Sequence, residues 1–320
     1  MKTLNLRSVF MSRIAIIDLG TNTFHLLIAE VKESGYRIIY RDRLAVKIGM
    51  GGINKGIITE SGLRRAMLAL QSFRNTMDEM QTDKVYAFGT SALRNAKNSP
   101  EVIEKIKAVT GIEVNVISGD REAELIYYGV KAAVDLGEDS SLIIDIGGGS
   151  VEFIIANNKS IFWKESFEIG AQRLLETFQR HDPILKEEIS ALNQHLSQSL
   201  ANLQEKIELF KPTVLVGSSG TFDTLSDIFC VKHHILKTPE EVETPLSIDG
   251  FYEIYDELIL KDRESRMLIP GMIEMRVDMI VVACCLIHYV LSIQRFSQIR
   301  VSTYSLKEGV LSWVGKPVIA

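Results

Sequence analysis

Two distant segments of this chain repeat one pattern: an apolar run ending in an aspartate, a turn of small residues, and a second apolar run. The first segment, Ile14 to Val31, reads IAIIDLGTNTFHLLIAEV, and the second, Ser141 to Ala156, reads SLIIDIGGGSVEFIIA. Glycine-rich turns let the backbone approach a ligand and present N–H groups that suit phosphate. Because the pattern occurs twice, it predicts two similar lobes that face one anionic ligand.

The length and composition of the chain favour a soluble protein with two domains. A chain of 320 residues exceeds the usual size of a single hydrophobic core. Hydrophobic residues make up 46% and charged residues 24%, which is ordinary for a globular protein. The net charge is −5 and no long basic run is present, so a nucleic-acid partner is not expected.

No membrane association is expected, and the predicted location is the cytoplasm. The longest apolar stretch, Met279 to Ile293, is shorter than the roughly 18 to 20 residues of a membrane span, and it predicts a buried helix. Residues 1–10 lack the apolar core of a signal peptide, and either Met1 or Met11 is the expected start of the protein. The three cysteines lack metal-ligand spacing, which fits a reduced cytoplasm.

The two glycine turns suit phosphate, but not in the manner of a P-loop. A P-loop needs a lysine and a helix after its glycines, whereas an apolar strand follows each turn here. The candidate phosphate-binding residues of the two turns are Thr21, Asn22, Gly147, Gly148, Gly149 and Ser150. One such turn alone is also typical of a tight hairpin with an Asx turn. The presence of two matched turns favours phosphate binding.

The aspartate before each turn indicates a metal ion. A carboxylate beside a phosphate is repulsive unless a cation lies between them, and Mg²⁺ binds few carboxylates together with water and phosphate. Asp18 and Asp145 are therefore candidate ligands of Mg²⁺ or another divalent cation. Glu152 follows Asp145 across the hairpin turn and is a further candidate ligand.

The segment SGDREAELIYYGVKAAV predicts a helix that passes from one domain to the other. The predicted domains are residues 1–124 and 125–304. Glu122 lies in the first turn of this helix and is a candidate catalytic acid, although acids in a first turn are also explained by the helix dipole. Arg94, in TSALRNA, is a second catalytic candidate and is also typical of a solvated helix residue.

A third turn, Gly217, Ser218, Ser219 and Gly220, follows the apolar strand TVLV and precedes a predicted helix. Its backbone N–H groups are candidates for phosphate binding. A plain strand-to-helix turn is the alternative interpretation. His25, His288 and the adjacent pair His233 and His234 have no partners at ligand spacing and are interpreted as structural.

Together these motifs resemble the exopolyphosphatase and guanosine pentaphosphatase family, within the superfamily of actin, sugar kinases and Hsp70. The similar segments are DLGTN at Asp18, GTSALRNAKN at Gly89, SGDREAELIYYG at Ser118, DIGGGSVE at Asp145, GSSGT at Gly217 and RMLIPGMIEMRVD at Arg266. The resemblance covers nearly the whole chain. It implies an α/β fold of two RNase H-like lobes, each with a mixed five-stranded sheet and flanking helices, and an active site between them. A C-terminal helix at about residues 305–320 is expected to pack back on the first lobe.

The resemblance also implies roles for the candidate residues. Glu122 corresponds to the acid that positions or activates water, and Arg94 to an arginine that contacts phosphate. Asp145 and Glu152 correspond to the carboxylates associated with magnesium, and Gly147 to Ser150 to the turn that binds oxyanions. The implied reaction is hydrolysis of terminal phosphoanhydride bonds of inorganic polyphosphate, which releases orthophosphate.

Other functions remain open at this point. One is removal of the 5′-phosphate of guanosine pentaphosphate (pppGpp), another is non-catalytic sensing of guanosine penta- or tetraphosphate, and a third is a kinase or ATPase of the same superfamily. A homodimer is expected. Lys307 stands where the family commonly has an arginine, and a lysine is a point charge instead of a bidentate fork. Longer family members continue into a helical C-terminal region, so processive digestion of very long chains is not expected here.

Overall fold

The computed structural model describes residues 12–32, 35–238 and 240–314. The alternative starts, Met1 and Met11, and the end of the predicted C-terminal helix, 315–320, lie outside the described residues. Among the helices of the described residues, none is long and apolar enough to cross a membrane.

The first lobe is a five-stranded mixed sheet with helices packed against it. Strands β1 to β5 span Ser12–Leu19, Thr23–Lys32, Gly35–Ala45, Lys84–Gly89 and Val114–Val116. Helices α1 to α3 span Glu60–Glu79, Ser91–Asn95 and Ser99–Thr110, and a 3₁₀ turn spans Ile53–Lys55. The strand order is β3-β2-β1-β4-β5; β1, β2 and β3 are antiparallel, whereas β4 and β5 run parallel to β1.

The second lobe repeats this topology and adds one strand. Strands β6 to β11 span Ser141–Ile146, Val151–Ala156, Ile161–Phe167, Val214–Ser218, Glu243–Thr244 and Gln298–Ser302. Its helices α5 to α11 span Ala171–Phe178, Lys186–Ser199, Ala201–Phe210, Ser219–Lys232, Ile248–Leu260, Arg263–Met267 and Ile280–Ile293. The strand order is β10-β11-β9-β6-β7-β8, in which β8-β7-β6-β9-β11 matches the order of the first sheet.

The prediction of two RNase H-like lobes is therefore confirmed, but the prediction of five strands in the second sheet is wrong by one. The additional strand, β10, pairs antiparallel with the outer edge of β11. The carboxylate of Glu243 in β10 accepts hydrogen bonds of 2.6 Å from Nε and Nη2 of Arg300 in β11. This bidentate pair fixes a two-residue strand that is too short to produce a hydrophobic pattern in the sequence.

Helices α4 (Gly119–Ala133) and α12 (Leu306–Val314) lie between the two sheets. They share a hydrophobic core with residues on the facing sides of both sheets, while each lobe has its own core on the opposite side. The two helices approach closely at Gly129, which has no side chain. A Cβ atom there would lie 1.9 Å from the carbonyl oxygen of Ser305. The predicted domain boundary after residue 124 falls within α4 and stays a prediction.

Candidate active site

The two glycine turns meet across the cleft between the lobes. A Cβ atom on Gly148 would lie 2.3 Å from Nδ2 of Asn22, and one on Gly149 would lie 2.5 Å from Oγ1 of Thr21. At both positions, any side chain larger than that of glycine would displace the neighbouring atoms. The turns and the strand ends that carry them line a cavity of about 100 Å³. The structure thus brings together the first-lobe and second-lobe candidates that the repeat pattern singled out.

The start of α5 determines the direction in which the second turn faces. Backbone N–H groups at the start of the helix donate to the carbonyl oxygens of the turn: Gly170 to Gly149 at 3.2 Å, Ala171 to Gly147 at 2.9 Å and Gln172 to Gly148 at 2.9 Å. In a trans peptide the N–H of the following residue points opposite to the carbonyl. The N–H groups of Gly148, Gly149 and Ser150 therefore point away from α5, which suits them to bind an anion.

Asp145 and Glu152 lie opposite each other on β6 and β7, as paired residues in the strand register. The carboxylate of Asp145 accepts hydrogen bonds of 2.6 Å from the hydroxyls of Ser218 and Ser219. The carboxylate of Glu152 accepts from Ser150 at 2.7 Å and from another serine, Ser166, at 2.6 Å. Serine hydroxyls thus hold both carboxylates in fixed orientations at the floor of the cleft.

Burial raises the pKa of every acid in the cleft that the sequence singled out. It raises the pKa of Asp18 to about 7 and, with the charge of Asp145 nearby, the pKa of Glu152 to about 7. The pKa of Asp145 is raised for the same reason, and that of Glu122 is raised well above its ordinary value. Desolvation penalises the charged form of a carboxyl group. A cation bound nearby would offset this penalty and favour the ionised form of these side chains.

Glu122 lies on the first turn of α4, whose N-cap Ser118 accepts a hydrogen bond from the N–H of Arg121. Its side chain lines the cavity and is buried. Nη1 of Arg94 donates to Oε2 of Glu122 at 2.7 Å. The structure therefore brings the two catalytic candidates into direct contact, with the carboxylate facing the cavity.

Arg94 does not line that cavity. Its Nη1 also donates to the carbonyl oxygen of Ile117 at 3.2 Å, and its Nη2 donates to Oε1 of Glu168 at 3.1 Å. Both ends of the guanidinium group are thus directed at protein oxygens. In this arrangement Arg94 holds Glu122, and the contact with phosphate that the resemblance implied stays a prediction.

The third turn borders the same cavity as the two glycine turns. Ser219 and Gly220 line the cavity, whereas the hydroxyls of Ser218 and Ser219 are both used by Asp145. Gly217 packs against a ring, since a Cβ atom there would lie 2.1 Å from Phe222. The hydroxyls of the turn therefore act on a carboxylate, which leaves its role in binding phosphate a prediction.

Several residues of the cleft were missed from the sequence, and Arg276 is the most prominent. It lines the cavity, and a Cβ atom on Gly220 would lie 2.1 Å from its Nη2. Among the described residues, its Nε has no hydrogen-bond partner, and neither do Oγ1 of Thr21 and Oδ1 of Asn22. Buried polar atoms are almost always paired, so these unpaired atoms in one cavity indicate a polar ligand. Arg276 lies within RMLIPGMIEMRVD. This segment resembles the family, but the resemblance implied no role for its second arginine.

His25 and Lys307 also line the cavity. Burial, with the positive charges of Lys307 and Arg276, holds the pKa of His25 well below its ordinary value, so the imidazole is neutral. The structural interpretation of His25 from the sequence therefore overlooked its place in the cavity wall. Lys307, the departure from the family's arginine, supplies a positive charge to the same wall.

The donor set is compatible with Mg²⁺. Among the described residues, no three histidine, cysteine, aspartate or glutamate side chains form a cluster that could hold a metal by themselves. Mg²⁺ does not require one, because it is usually held by one or two carboxylates with waters and substrate phosphates. Asp18, Asp145 and Glu152 line one cavity and have raised pKa values, which an adjacent divalent cation would lower.

Comparison with known proteins agrees with this geometry. The model of the Ppx/GppA phosphatase family matches residues 27–315. An exopolyphosphatase of Cytophaga hutchinsonii is 44% identical, with a TM-score of 0.92 over 95% of this chain and 98% of that chain. The Aquifex aeolicus member of the Ppx/GppA family is 26% identical, with a TM-score of 0.77 over 95% and 98% of the two chains. A protein of Haemophilus influenzae assigned as an exopolyphosphatase is 26% identical over 298 residues, which are 93% of this chain and 90% of that protein. The resemblance inferred from the motifs is confirmed, and this chain belongs to the Ppx/GppA phosphatase family.

Proposed function

We propose that this protein is a hydrolase of phosphoanhydride bonds that removes the terminal phosphate of inorganic polyphosphate as orthophosphate. The observation that carries the proposal is the position of Glu122, a buried carboxylate that faces a small cavity walled by two glycine turns. The cavity wall includes Arg276 and Lys307 beside the glycine turns, and in this proposal Glu122 supplies the base for the attacking water. A protein that only bound phosphate would not need a base at this position.

The proposed reaction is an in-line displacement at the terminal phosphorus. Glu122, held by Arg94, accepts a proton from a water molecule whose oxygen forms the new bond to phosphorus. The bridging P–O bond breaks, and the shortened chain leaves with the electron pair of that bond. The N–H groups of the Gly147 to Ser150 turn and the charge of Arg276 stabilise the negative charge on the transferred group.

The proposed cofactor is Mg²⁺, or another divalent cation, which Asp145 and Glu152 would hold together with waters and phosphate oxygens, while Asp18 at the end of β1 lines the same cavity from the first lobe. When bound, the cation neutralises charge on the phosphate oxygens and separates them from the carboxylates. The hydroxyls of Ser218 and Ser219 fix the carboxylate of Asp145 for this purpose.

The second candidate substrate is pppGpp, and one observation favours it. A wider cavity of about 970 Å³ adjoins the first and shares His25, Arg43 and Lys307 with it. Tyr36 and Tyr304 line this second cavity, and aromatic rings present apolar faces with a polar tip that suit a nucleoside.

The proposed function is tested by phosphate release from purified protein. Tripolyphosphate, polyphosphates of increasing length, pppGpp and ATP would be compared with and without Mg²⁺. We expect Mg²⁺-dependent release of orthophosphate from polyphosphate, from pppGpp or from both. Turnover of ATP with none of the other substrates would refute the proposal, and tight binding of pppGpp without turnover would favour the sensor.

The proposed metal site predicts how stability depends on pH. Asp18 and Glu152 have pKa values in the folded protein raised to about 7, so their contribution to stability is present below their unfolded pKa values and is lost as pH rises through about 7. A divalent cation favours the ionised carboxylates. We therefore expect Mg²⁺ to raise the melting temperature at about pH 8 and to have little effect at about pH 5.5.

Differential scanning fluorimetry with and without Mg²⁺ measures this effect. Glu152→Gln is expected to reduce the stabilisation by Mg²⁺ at the higher pH. Glu138→Gln is the matched control, because Glu138 is an exposed acid that pairs with Lys159 away from the cleft. An equal response to Mg²⁺ in the wild type and both variants would contradict the proposed metal site.

A further inference from the structure

Glu168, which directly follows β8, connects the two lobes beside the active site. Its Oε2 accepts a hydrogen bond of 2.6 Å from the hydroxyl of Ser91, and its Oε1 accepts one of 3.1 Å from Nη2 of Arg94. Both donors lie on α2, which follows β4 of the first sheet, whereas Glu168 belongs to the second lobe. These bonds therefore depend on the position of one lobe relative to the other.

Arg173, on the first turn of α5, holds Glu168 in place. Its Nη2 donates to Oε2 of Glu168 at 3.0 Å, and its Nε donates to the carbonyl oxygen of Gly149 at 2.7 Å. Its Nη1 donates to the carbonyl oxygen of Ile53 in the first lobe at 3.1 Å. One guanidinium group thus connects Glu168, the second glycine turn and a loop of the opposite lobe.

Arg94 divides its donors between two carboxylates. Nη1 binds Glu122 at 2.7 Å and Nη2 binds Glu168 at 3.1 Å. Because the guanidinium group is planar and its donors form a rigid fork, fixing one Nη also fixes the direction of the other. Without Glu168, Arg94 would keep the bonds of Nη1 to Ile117 and Glu122 but lose the bond that fixes Nη2, so the orientation of the guanidinium group beside Glu122 would be less tightly held.

From these contacts we propose that Glu168 is a positioning residue for the hydrolysis, which aligns Glu122 through Arg94 across the junction of the two lobes. The proposal rests on the proposed role of Glu122 as the base.

Glu176, on α5 with Arg173, provides a matched control. Its Oε1 accepts a hydrogen bond of 3.0 Å from the N–H of Gly51, so it also joins the lobes, but the structure gives it no contact with Arg94. A residue that only holds the lobes together should behave like Glu176. A residue that aligns the base should affect the chemical step.

The first test compares Glu168→Gln with Glu176→Gln by steady-state kinetics on the better substrate. For Glu168→Gln we expect kcat to fall about tenfold, which is about 1.4 kcal/mol, with KM within about twofold of wild type. Glu168→Asp should recover part of the loss, because it keeps the charge. Glu176→Gln should retain kcat. Equal behaviour of the two glutamine variants would overturn the proposal.

The second test is a double-mutant cycle with Arg94→Ala. If Glu168 acts through Arg94, adding Glu168→Gln to Arg94→Ala should cause no further loss of kcat, whereas additive losses would refute the proposal. Arg94→Lys replaces Arg94→Ala in the cycle if the alanine variant does not fold. The proposed function and the role of Glu168 fail in different ways. No release of phosphate by the wild type would refute the proposed function, and full activity of Glu122→Gln would refute its role as the base. Additive losses in the cycle with an inactive Glu122→Gln would refute only the role of Glu168.

Discussion

Replacing Glu122 with glutamine is expected to lower kcat by about 10²- to 10⁴-fold, the usual contribution of a general base, with little change in KM. Glutamine has the shape of glutamate and keeps an oxygen that can accept the hydrogen bond from Nη1 of Arg94. It cannot accept a proton from water. The loss should therefore fall on the chemical step, and steady-state kinetics of phosphate release would measure it.

The matched control is Glu124→Gln on the same helix. Glu124 forms an ion pair with Arg121 at 2.8 Å and does not line the cavity. This variant should retain wild-type kcat, because an (i, i+3) pair of this kind contributes only a few tenths of a kcal/mol to helix stability. Glu122→Gln with wild-type kcat and an intact fold would exclude Glu122 as the base.

Replacing Gly129 with alanine should strongly destabilise the protein. The new Cβ atom would lie 1.9 Å from the carbonyl oxygen of Ser305 and 3.1 Å from the backbone nitrogen of Gly309, and neither is the end of a flexible side chain. Because α4 and α12 would have to separate, we expect the free energy of unfolding to fall by about 1–3 kcal/mol or more. Denaturant unfolding would measure the change, and activity should also fall since α4 carries Glu122.

Ala132→Ser is the control for this substitution. It also adds one heavy atom to α4, but at an exposed position. Its effect on the free energy of unfolding should be within about 0.5 kcal/mol. Equal stability of Gly129→Ala and Ala132→Ser would show that the crossing of α4 and α12 is looser than the structure indicates.

Much of the architecture was predictable because one local sequence pattern, strand, turn and strand, occurs once in each lobe. Each of the two strand-turn-strand segments forms a hairpin at the centre of its sheet, β1 with β2 and β6 with β7. Asp145 and Glu152 could be placed together because a hairpin brings residues on both sides of its turn into register. The repetition of the pattern, in contrast, predicted that both glycine turns face one ligand.

Other parts of the site could not be predicted, because they depend on contacts between distant segments. Glu168 and Arg173 lie in a region with no phosphate-binding motif, and their importance arises only where the two lobes meet. Arg276 is separated in sequence from both turns, and only the fold places it at the cavity. The resemblance implied that Arg94 contacts phosphate. In the structure its two Nη atoms donate to carboxylates from other segments, those of Glu122 and Glu168.

The proposed attack by water on a terminal phosphorus is tested most directly by hydrolysis in ¹⁸O-labelled water. Tripolyphosphate or pppGpp, whichever is turned over faster, would be hydrolysed to low conversion and the products examined by mass spectrometry. We predict that one ¹⁸O atom enters the released orthophosphate and that the remaining pyrophosphate or guanosine tetraphosphate is unlabelled. Label in the remaining product instead of the orthophosphate would contradict the account.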